Sequence, residues 1–308
     1  MILAVCLNPA LDLTYEVPAL APGTSHRVQR VHERPGGKAC NTARVLGRLS
    51  VEVTLCGFAG GARGARFRSA LAATSVKDRL TVIDGETRQS VAVVDGGGVT
   101  VLNEPGPSLV QRDWDALLAD VDSELDGARV AVLSGSVPPG APEDAWAQLV
   151  RHCRRRGVPS VLDTAGPQLL AALDEQPAVA APNHHEAGGA LGTTLEEPDE
   201  ILAAAVELSA RSRGAVVVSA GSDGLVAARG ERRWRVRPPR VVEGNPTGAG
   251  DALTAALAWG LAEERELPDI LADAVCLAAS AVVLPTAGEV DLATYRELRH
   301  TCEVEELR

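Results

Sequence analysis

The sequence has almost no lysine: of its 30 lysine and arginine residues, only Lys38 and Lys77 are lysines. It also lacks a long basic segment, and its formal net charge is −11. A chain this acidic is a poor binder of nucleic acids or anionic membranes as a whole, although a local cationic pocket is still allowed. We therefore expect neither kind of partner, and a lysine retained inside a motif becomes a candidate functional residue.

Long hydrophobic runs are absent too. No stretch of 18 apolar residues occurs, so no transmembrane helix is predicted. The apolar start, residues 1–7, has no basic flank and continues into Asn8-Pro9, which favours a first strand over a signal peptide. The six cysteines are scattered without a CxxC pair, as is typical of reduced thiols rather than of disulfides or a zinc site. Together these features predict a cytoplasmic protein.

Apolar, strand-like segments alternate with helical patterns along the chain. The strand-like segments are residues 2–6, 51–56, 130–133, 158–162 and 215–219. The helical ones are residues 41–49, 63–73, 111–120, 143–155, 198–213, 249–262 and 268–284. Continuous apolar strands that alternate with helices predict an α/β fold with a mostly parallel sheet covered on both faces.

Two strand-rich segments, residues 12–31 and 87–103, interrupt this alternation. The second contains a hairpin around residues 95–98, where glycines follow Asp95. We expect the two segments to form a small β-sheet lid. The α/β core then comprises residues 1–11, 32–86 and 104–308.

The motif most indicative of chemistry is N-P-T-G-A-G-D at residues 245–251, which opens an Ala/Leu-rich helix. Its small residues let the backbone approach a ligand, and a helix N-terminus presents free N–H groups to an anion. Asp251 falls in the first turn, where a carboxylate can serve as general base while the N–H groups stabilise a transferring phosphoryl group. The alternative is an ordinary glycine-rich turn in which Asp251 complements the helix dipole.

Two further motifs precede helices or follow strands. The loop P-G-G-K-A-C-N at residues 35–41 combines a glycine pair with the cation of Lys38. It is not a Walker A loop, because G-x-x-x-x-G-K-[ST] occurs nowhere in the chain. Asp12 follows the first strand, and a carboxylate at the carboxyl end of a strand can accept hydrogen bonds from sugar hydroxyls. Plain loops would explain either motif alone.

Eight motifs in order resemble the ribokinase/PfkB carbohydrate kinase family, and within it the 1-phosphofructokinase and tagatose-6-phosphate kinase branch. They are L-N-P-A-L-D (7–12), G-G-K-A-C-N (36–41), G-E-T-R (85–88), N-E-P-G (103–106), S-G-S-V-P-P-G (134–140), N-H-H-E (183–186), S-A-G-S-D-G (219–224) and G-A-G-D (248–251). The resemblance covers nearly the whole chain. It implies a ribokinase-like three-layer sandwich with a β-sheet lid.

The resemblance also implies roles for individual residues in an ATP-dependent kinase of a ketohexose phosphate. Asp251 would be the general base, and the anion hole would comprise Gly248, Ala249 and Gly250. The substrate would be held by Asp12, Gly36, Gly37 and Asn41 at its hydroxyls and by Lys38, Arg88, Ser136 and Arg27 at its phosphate. ATP would lie against Asn183, Ser219, Gly221 and Gly224, with Mg²⁺ at Glu186.

The chain departs from the family pattern at three places. Ala181 stands where the family has lysine in K-P-N-x-x-E, Ala39 replaces the last glycine of G-G-K-G, and Gln89-Ser90 follows Arg88 where a relative often has asparagine two positions on. Two alternatives therefore stay open: a kinase of an unphosphorylated sugar or nucleoside, and a non-catalytic sugar-phosphate-binding homologue. The strand-rich lid also permits a homodimer. The sequence does not determine which ketohexose phosphate, or which of its hydroxyls, is the acceptor.

Overall fold

The computed structural model describes residues 1–307, which form two β-sheets and ten helices. The strands are β1 Ile2–Cys6, β2 Ala10–Glu16, β3 Arg30–Gly36, β4 Val53–Gly60, β5 Lys77–Ile83, β6 Arg88–Asp95, β7 Gly98–Asn103, β8 Val130–Ser134, β9 Ser160–Asp163, β10 Val179–Ala180, β11 Ala215–Ser219, β12 Leu225–Arg229, β13 Arg232–Val236 and β14 Val304–Leu307. The helices are α1 Lys38–Arg48, α2 Gly61–Leu71, α3 Gln111–Leu125, α4 Ala145–Arg155, α5 Gly166–Leu173, α6 His184–Leu191, α7 Pro198–Ser212, α8 Ala249–Ala262, α9 Leu267–Val282 and α10 Leu292–Thr301.

The large sheet has ten strands in the order β14-β13-β12-β11-β10-β9-β8-β1-β4-β5. All neighbours from β11 to β5 pair in parallel, whereas β12, β13 and β14 add antiparallel strands at one edge. The predicted α/β fold with a mostly parallel sheet is confirmed. None of the helices within the described residues 1–307 could span a lipid bilayer.

Strand β1 shows why the sheet needs cover on both faces. Its side chains alternate: Ile2 and Ala4 belong to one buried cluster, whereas Leu3 and Val5 belong to another. Helices α1, α8 and α9 bury the first face, and α3, α4 and α7 bury the second. A strand that is apolar on both sides is stable only between two helical layers, and this produces the three-layer sandwich.

The small sheet has the strand order β3-β2-β6-β7 and carries the predicted lid residues. Strands β2 and β6 pair in parallel, and each has an antiparallel partner at its other edge. The sheet extends beyond the predicted boundaries, since β2 starts at Ala10 and β3 ends at Gly36. Residues 17–29 contain no strand and connect β2 to β3.

Close packing between α8 and α9 depends on a glycine. A Cβ added at Gly260 would lie 2.5 Å from Cγ1 of Ile270, which is buried at the start of α9. We expect Gly260→Ala to destabilise the protein by about 1–3 kcal/mol, because overpacking outweighs the helix propensity gained. Urea unfolding of the variant measures this change.

The matched control is Gly189, an exposed glycine of α6 whose added Cβ would meet nothing within 4 Å. Gly189→Ala should stabilise the protein by about 0.5–1 kcal/mol, because alanine has the higher helix propensity and the added Cβ meets no neighbour. Equal effects of the two substitutions would refute the packing argument.

Candidate active site

A cavity of about 940 Å³ lies at the carboxyl ends of the parallel strands, between the large and the small sheet. Such edges are where ligands of open α/β sheets bind. The cavity wall brings together twelve of the residues singled out from the sequence: Asp12, Gly37, Lys38, Asn41, Arg88, Ser136, Asn183, Glu186, Ser219, Gly248, Gly250 and Asp251. These residues come from motifs more than 200 positions apart in the chain.

The remaining five predicted site residues do not line the cavity. Arg27 is exposed in the connection between β2 and β3. Gly36 packs so closely against Asp12 that a Cβ at this position would collide with the Asp12 carboxylate. Gly224 packs on the backbone of β13, Gly221 opens a short 3₁₀ turn, and Ala249 is the first residue of α8.

Asp251 lies in the first turn of α8 and is buried. Its Oδ2 accepts a hydrogen bond of 2.9 Å from Nδ2 of Asn41, in the first turn of α1. Burial, with the nearby charge of Asp163, raises the pKa of Asp251 to about 7. A carboxylate with this pKa can both accept and release a proton near neutrality, as a general base requires.

The residue before α8, Gly248, determines how the helix starts. Its φ of 90° lies in the left-handed region, and an added Cβ would lie 2.8 Å from the Cα of Ala287. Glycine is thus required on both conformational and steric grounds. The turn places Gly248 and Gly250 on the cavity wall, whereas the Ala249 N–H donates to the Pro246 carbonyl at 3.1 Å. Because free N–H groups at a helix start attract anions, the start of α8 is a candidate anion site.

Asp12 is a second buried carboxylate on the wall. Burial raises its pKa to about 6, although the charges of Arg88 and Arg44 oppose this rise. Asn8 and Asn41 also line the cavity, although their Oδ1 atoms are buried beside Gly106 and Gly288. The Asp12 carboxylate on the wall is suited to a ligand that brings hydroxyl donors, such as a sugar.

Arg88 and Ser136 form one corner of the cavity, and both are hydrogen-bonded to Asn8. The Nε of Arg88 donates to the Asn8 carbonyl at 3.1 Å, and Asn8 Nδ2 donates to Oγ of Ser136 at 3.1 Å and to the Pro105 carbonyl at 3.0 Å. Sequence reasoning gave Asn8 no role of its own. The signal in the sequence was a polar residue two positions after a buried strand, at the edge where ligands bind.

Lys38 has partners that the sequence did not reveal. Its Nζ lies 3.0 Å from Oδ1 of Asp163 and 2.9 Å from Oε1 of Glu186. Burial alone would lower the pKa of Lys38, but these two carboxylates raise it above its usual value. Asp163 also accepts a hydrogen bond of 2.8 Å from Ser134, which fixes its orientation.

Glu186 and Asn183 form a reciprocal cap at the start of α6. The Oδ1 of Asn183 accepts from the Glu186 N–H at 2.9 Å, and Oε2 of Glu186 accepts from the Asn183 N–H at 3.0 Å. Among residues 1–307 no cluster of three or more His, Cys, Asp or Glu side chains could enclose a metal. A lone carboxylate fits Mg²⁺, which keeps several waters and is usually bound by one or two carboxylates plus substrate phosphates.

The charges on the wall are unbalanced toward the acidic side. The carboxylates are Asp12, Glu104, Asp163, Glu186 and Asp251, whereas the cations are Lys38 and Arg88. Polyanions would be repelled by such a wall unless a divalent cation accompanied them. The charges on the wall therefore fit a nucleotide that binds together with a metal ion.

Comparisons with known proteins show which family the chain resembles. A family model described as pfkB family carbohydrate kinase matches residues 2–291. The structure is similar to that of a possible 1-phosphofructokinase from Thermotoga maritima, with a TM-score of 0.91, 26% identity and 100% of both chains covered. It is also similar to phosphofructokinase-2 from Escherichia coli in complex with substrates and products, with a TM-score of 0.90, 28% identity, and 97% and 98% of the two chains covered. A tetrameric inhibited form of that enzyme matches with a TM-score of 0.88 and the same identity and coverage.

The raised pKa of Asp251 has a consequence for stability. The unfolded carboxyl ionises near 3.8 and the folded one near 7, so the folded state binds more protons between these values. Stability of the wild type therefore falls as the pH rises from 4 to 7. We expect Asp251→Asn to raise the Tm, with a gain that grows over this range and stays constant above pH 7. Thermal unfolding at pH 5 and pH 8 measures the difference.

Asp95 provides the matched control, because backbone N–H donors of Leu20 and Gly97 lower its pKa. Asp95→Asn should not stabilise the protein at any pH. A variant Asp251→Asn that is less stable than the wild type at pH 8 would contradict the account of Asp251.

Proposed function

The chain belongs to the pfkB family of carbohydrate kinases, and from this premise we propose that it transfers the γ-phosphoryl group of ATP to a hydroxyl of a ketohexose phosphate. One observation carries the proposal: the buried carboxylate of Asp251 lies beside the anion site of α8, in a cavity with Arg88 and Ser136 at another corner. The similar proteins named as phosphofructokinases support the same substrate class.

The proposed reaction uses Asp251 as the general base. Its carboxylate takes the proton of the acceptor hydroxyl while the acceptor oxygen forms a bond to the γ-phosphorus. The bond between that phosphorus and the β–γ bridging oxygen breaks, and ADP leaves with the electron pair. The N–H groups at Gly248 and Gly250 stabilise the charge on the transferring group, whereas that of Ala249, which the resemblance also implied, donates to the Pro246 carbonyl.

The acceptor's own phosphate is proposed to bind at Arg88 and Ser136, with Asn8 holding both side chains in place. A guanidinium is well suited to this task because its planar donors match phosphate oxygens. The sugar hydroxyls then face Asp12, Asn41 and the backbone at Gly37. Strand β7 contributes Val101 and Asn103 to the wall, so that the small sheet covers the sugar and excludes water from the transfer.

ATP is proposed to lie on the side of Asn183 and Ser219, with the 3₁₀ turn at Gly221 and the tight turn at Gly224 beside it. Glu186 and Asn183 would hold Mg²⁺ and its waters. When bound, the ion neutralises the phosphate charges. Because the cavity wall is acidic, we expect ATP to bind only when Mg²⁺ neutralises its phosphates.

The test is ADP release with magnesium ATP against fructose-6-phosphate, fructose-1-phosphate, tagatose-6-phosphate, fructose, ribose and adenosine. We expect turnover only with phosphorylated ketoses. Asp251→Asn should lower kcat by roughly 10²–10⁴-fold, because it removes the base, while sugar-phosphate binding measured by calorimetry is retained.

Each of the other outcomes would support a different function. Turnover only with an unphosphorylated acceptor would remove the phosphate role of Arg88 and favour a sugar or nucleoside kinase. Binding of a sugar phosphate without any turnover would favour a non-catalytic homologue. Turnover of Asp251→Asn at the wild-type rate would refute the assignment of the base.

We also propose that two copies associate through the outer face of the small sheet. Strand register places Leu13, Tyr15, Val31, Val93 and Leu102 on the face opposite Asp12 and Val101, which line the cavity. Val31 and Leu102 are 59% and 61% exposed. Exposed apolar side chains clustered on one face are typical of an interface.

Sedimentation of Leu102→Glu tests the proposed association, with Val82→Glu as the matched control. Val82 is 76% exposed but lies on β5 of the large sheet. We expect the wild type and Val82→Glu to sediment as dimers and Leu102→Glu as a monomer. A monomeric wild type would exclude the association.

A further inference from the structure

Glu104 places a negative charge in the acceptor corner of the cavity, which Arg88 and Ser136 form. It follows β7 and lines the cavity wall, and its carbonyl accepts a hydrogen bond of 3.4 Å from Nη1 of Arg88. Because like charges repel, an uncompensated carboxylate in this position would weaken the binding of a phosphate dianion. Arg88 and Glu104 by themselves leave the corner without a net charge.

The side chain of Glu104 also holds the backbone next to Arg88. Its Oε2 accepts a hydrogen bond of 2.9 Å from the Gln89 N–H, and the Glu104 N–H donates to the Gln89 carbonyl at 3.2 Å. These two bonds continue the pairing of β6 with β7 beyond Asn103, where β7 ends, and so fix the residue that follows Arg88. This task requires an acceptor oxygen at position 104 but no negative charge.

Arg63 of α2 compensates the charge of Glu104 from behind the wall. Its Nη1 donates to Oε2 of Glu104 at 2.9 Å and to the carbonyl of Thr87, the residue before Arg88, at 3.5 Å. Arg63 does not itself line the cavity, and its side chain is 33% exposed. The guanidinium therefore contacts the chain just before Arg88 and the carboxylate that holds the chain just after it.

The stability of α2 does not explain a cation at position 63. Arg63 lies in the first turn of the helix, where the positive end of the helix dipole disfavours a guanidinium. The helix start is already capped by Glu86, whose Oε1 accepts from the Arg63 N–H. The contacts of the side chain with Glu104 and Thr87 are thus the feature that accounts for arginine here.

We infer that Arg63 is a positioning residue for the phosphate of the acceptor: it neutralises Glu104, so that Glu104 can hold the backbone beside Arg88 while the corner stays cationic. The inference rests on the proposed function, because it requires an acceptor that carries a phosphate. In this role Arg63 touches neither substrate and transfers no proton.

The experiment compares Arg63→Met with the matched control Arg66→Met. Arg66 lies three residues further along α2 and pairs with Glu33 of β3, so it also connects α2 to the small sheet, but neither Arg66 nor Glu33 lines the cavity. Calorimetry measures the binding of fructose-6-phosphate, fructose-1-phosphate, tagatose-6-phosphate and magnesium ADP, and steady-state kinetics give kcat and KM.

For Arg63→Met we expect the sugar phosphate that the wild type binds most tightly to bind roughly 5–20-fold more weakly, because the corner loses its net positive charge. KM for that sugar phosphate should rise by the same factor, while kcat and magnesium ADP binding stay unchanged. Arg66→Met should bind both ligands as the wild type does. Equal losses in the two variants would show a general loosening of the small sheet and would contradict the inference.

A double variant separates charge compensation from a purely structural connection. Glutamine at position 104 keeps an acceptor for the Gln89 N–H but carries no charge, so Arg63→Met combined with Glu104→Gln should bind the sugar phosphate within about threefold of the wild type. A double variant that binds as weakly as Arg63→Met would refute charge compensation. Arg63→Lys retains the charge and should bind as the wild type does, so the test stays decisive even where Arg63→Met folds poorly.

The inference and the proposed function fail in different ways. A wild type that binds none of the three sugar phosphates refutes the acceptor corner and, with it, the role of Arg63. A wild type that binds and turns over one of them, together with an Arg63→Met variant of equal affinity, refutes only the role given to Arg63.

Discussion

The candidate active site depends on one carboxylate, that of Asp251, whose charge is poorly solvated because the side chain is almost fully enclosed. Asn41 donates the hydrogen bond that holds this carboxylate in place. The cost of burial appears as a pKa near 7, far above that of a free aspartate. A position that is unfavourable for stability is thus favourable for a base that must work near neutrality.

The fold produces this arrangement by packing two helices together. Helices α1 and α8 lie against each other on one face of the large sheet, and both begin at its carboxyl edge after a glycine with positive φ. Their first turns therefore meet, and Asn41 reaches Asp251. The wall they share is acidic, with five carboxylates against two cations.

Much of this could be predicted from the sequence. Apolar strands alternating with helices predicted the parallel sheet, and a glycine-rich helix start pointed to Asp251, because each signal lies within a short segment of the chain. The partners of Lys38 could not be predicted, since Asp163 and Glu186 lie 125 and 148 residues away and only packing brings them together. The role of Asn8 was missed for the same reason. Strand β14 at the antiparallel edge was missed because a short strand that is partly exposed carries little hydrophobic signal.

The pH dependence of kcat/KM for the phosphorylated ketose that is turned over tests the central claim most directly. If Asp251 is the base in the free enzyme, kcat/KM rises about tenfold per pH unit below pH 7 and levels off above it, because only the ionised carboxylate accepts the proton. A profile that is flat from pH 5 to pH 8 would contradict the account, since no buried carboxylate with a pKa near 7 would then limit the transfer.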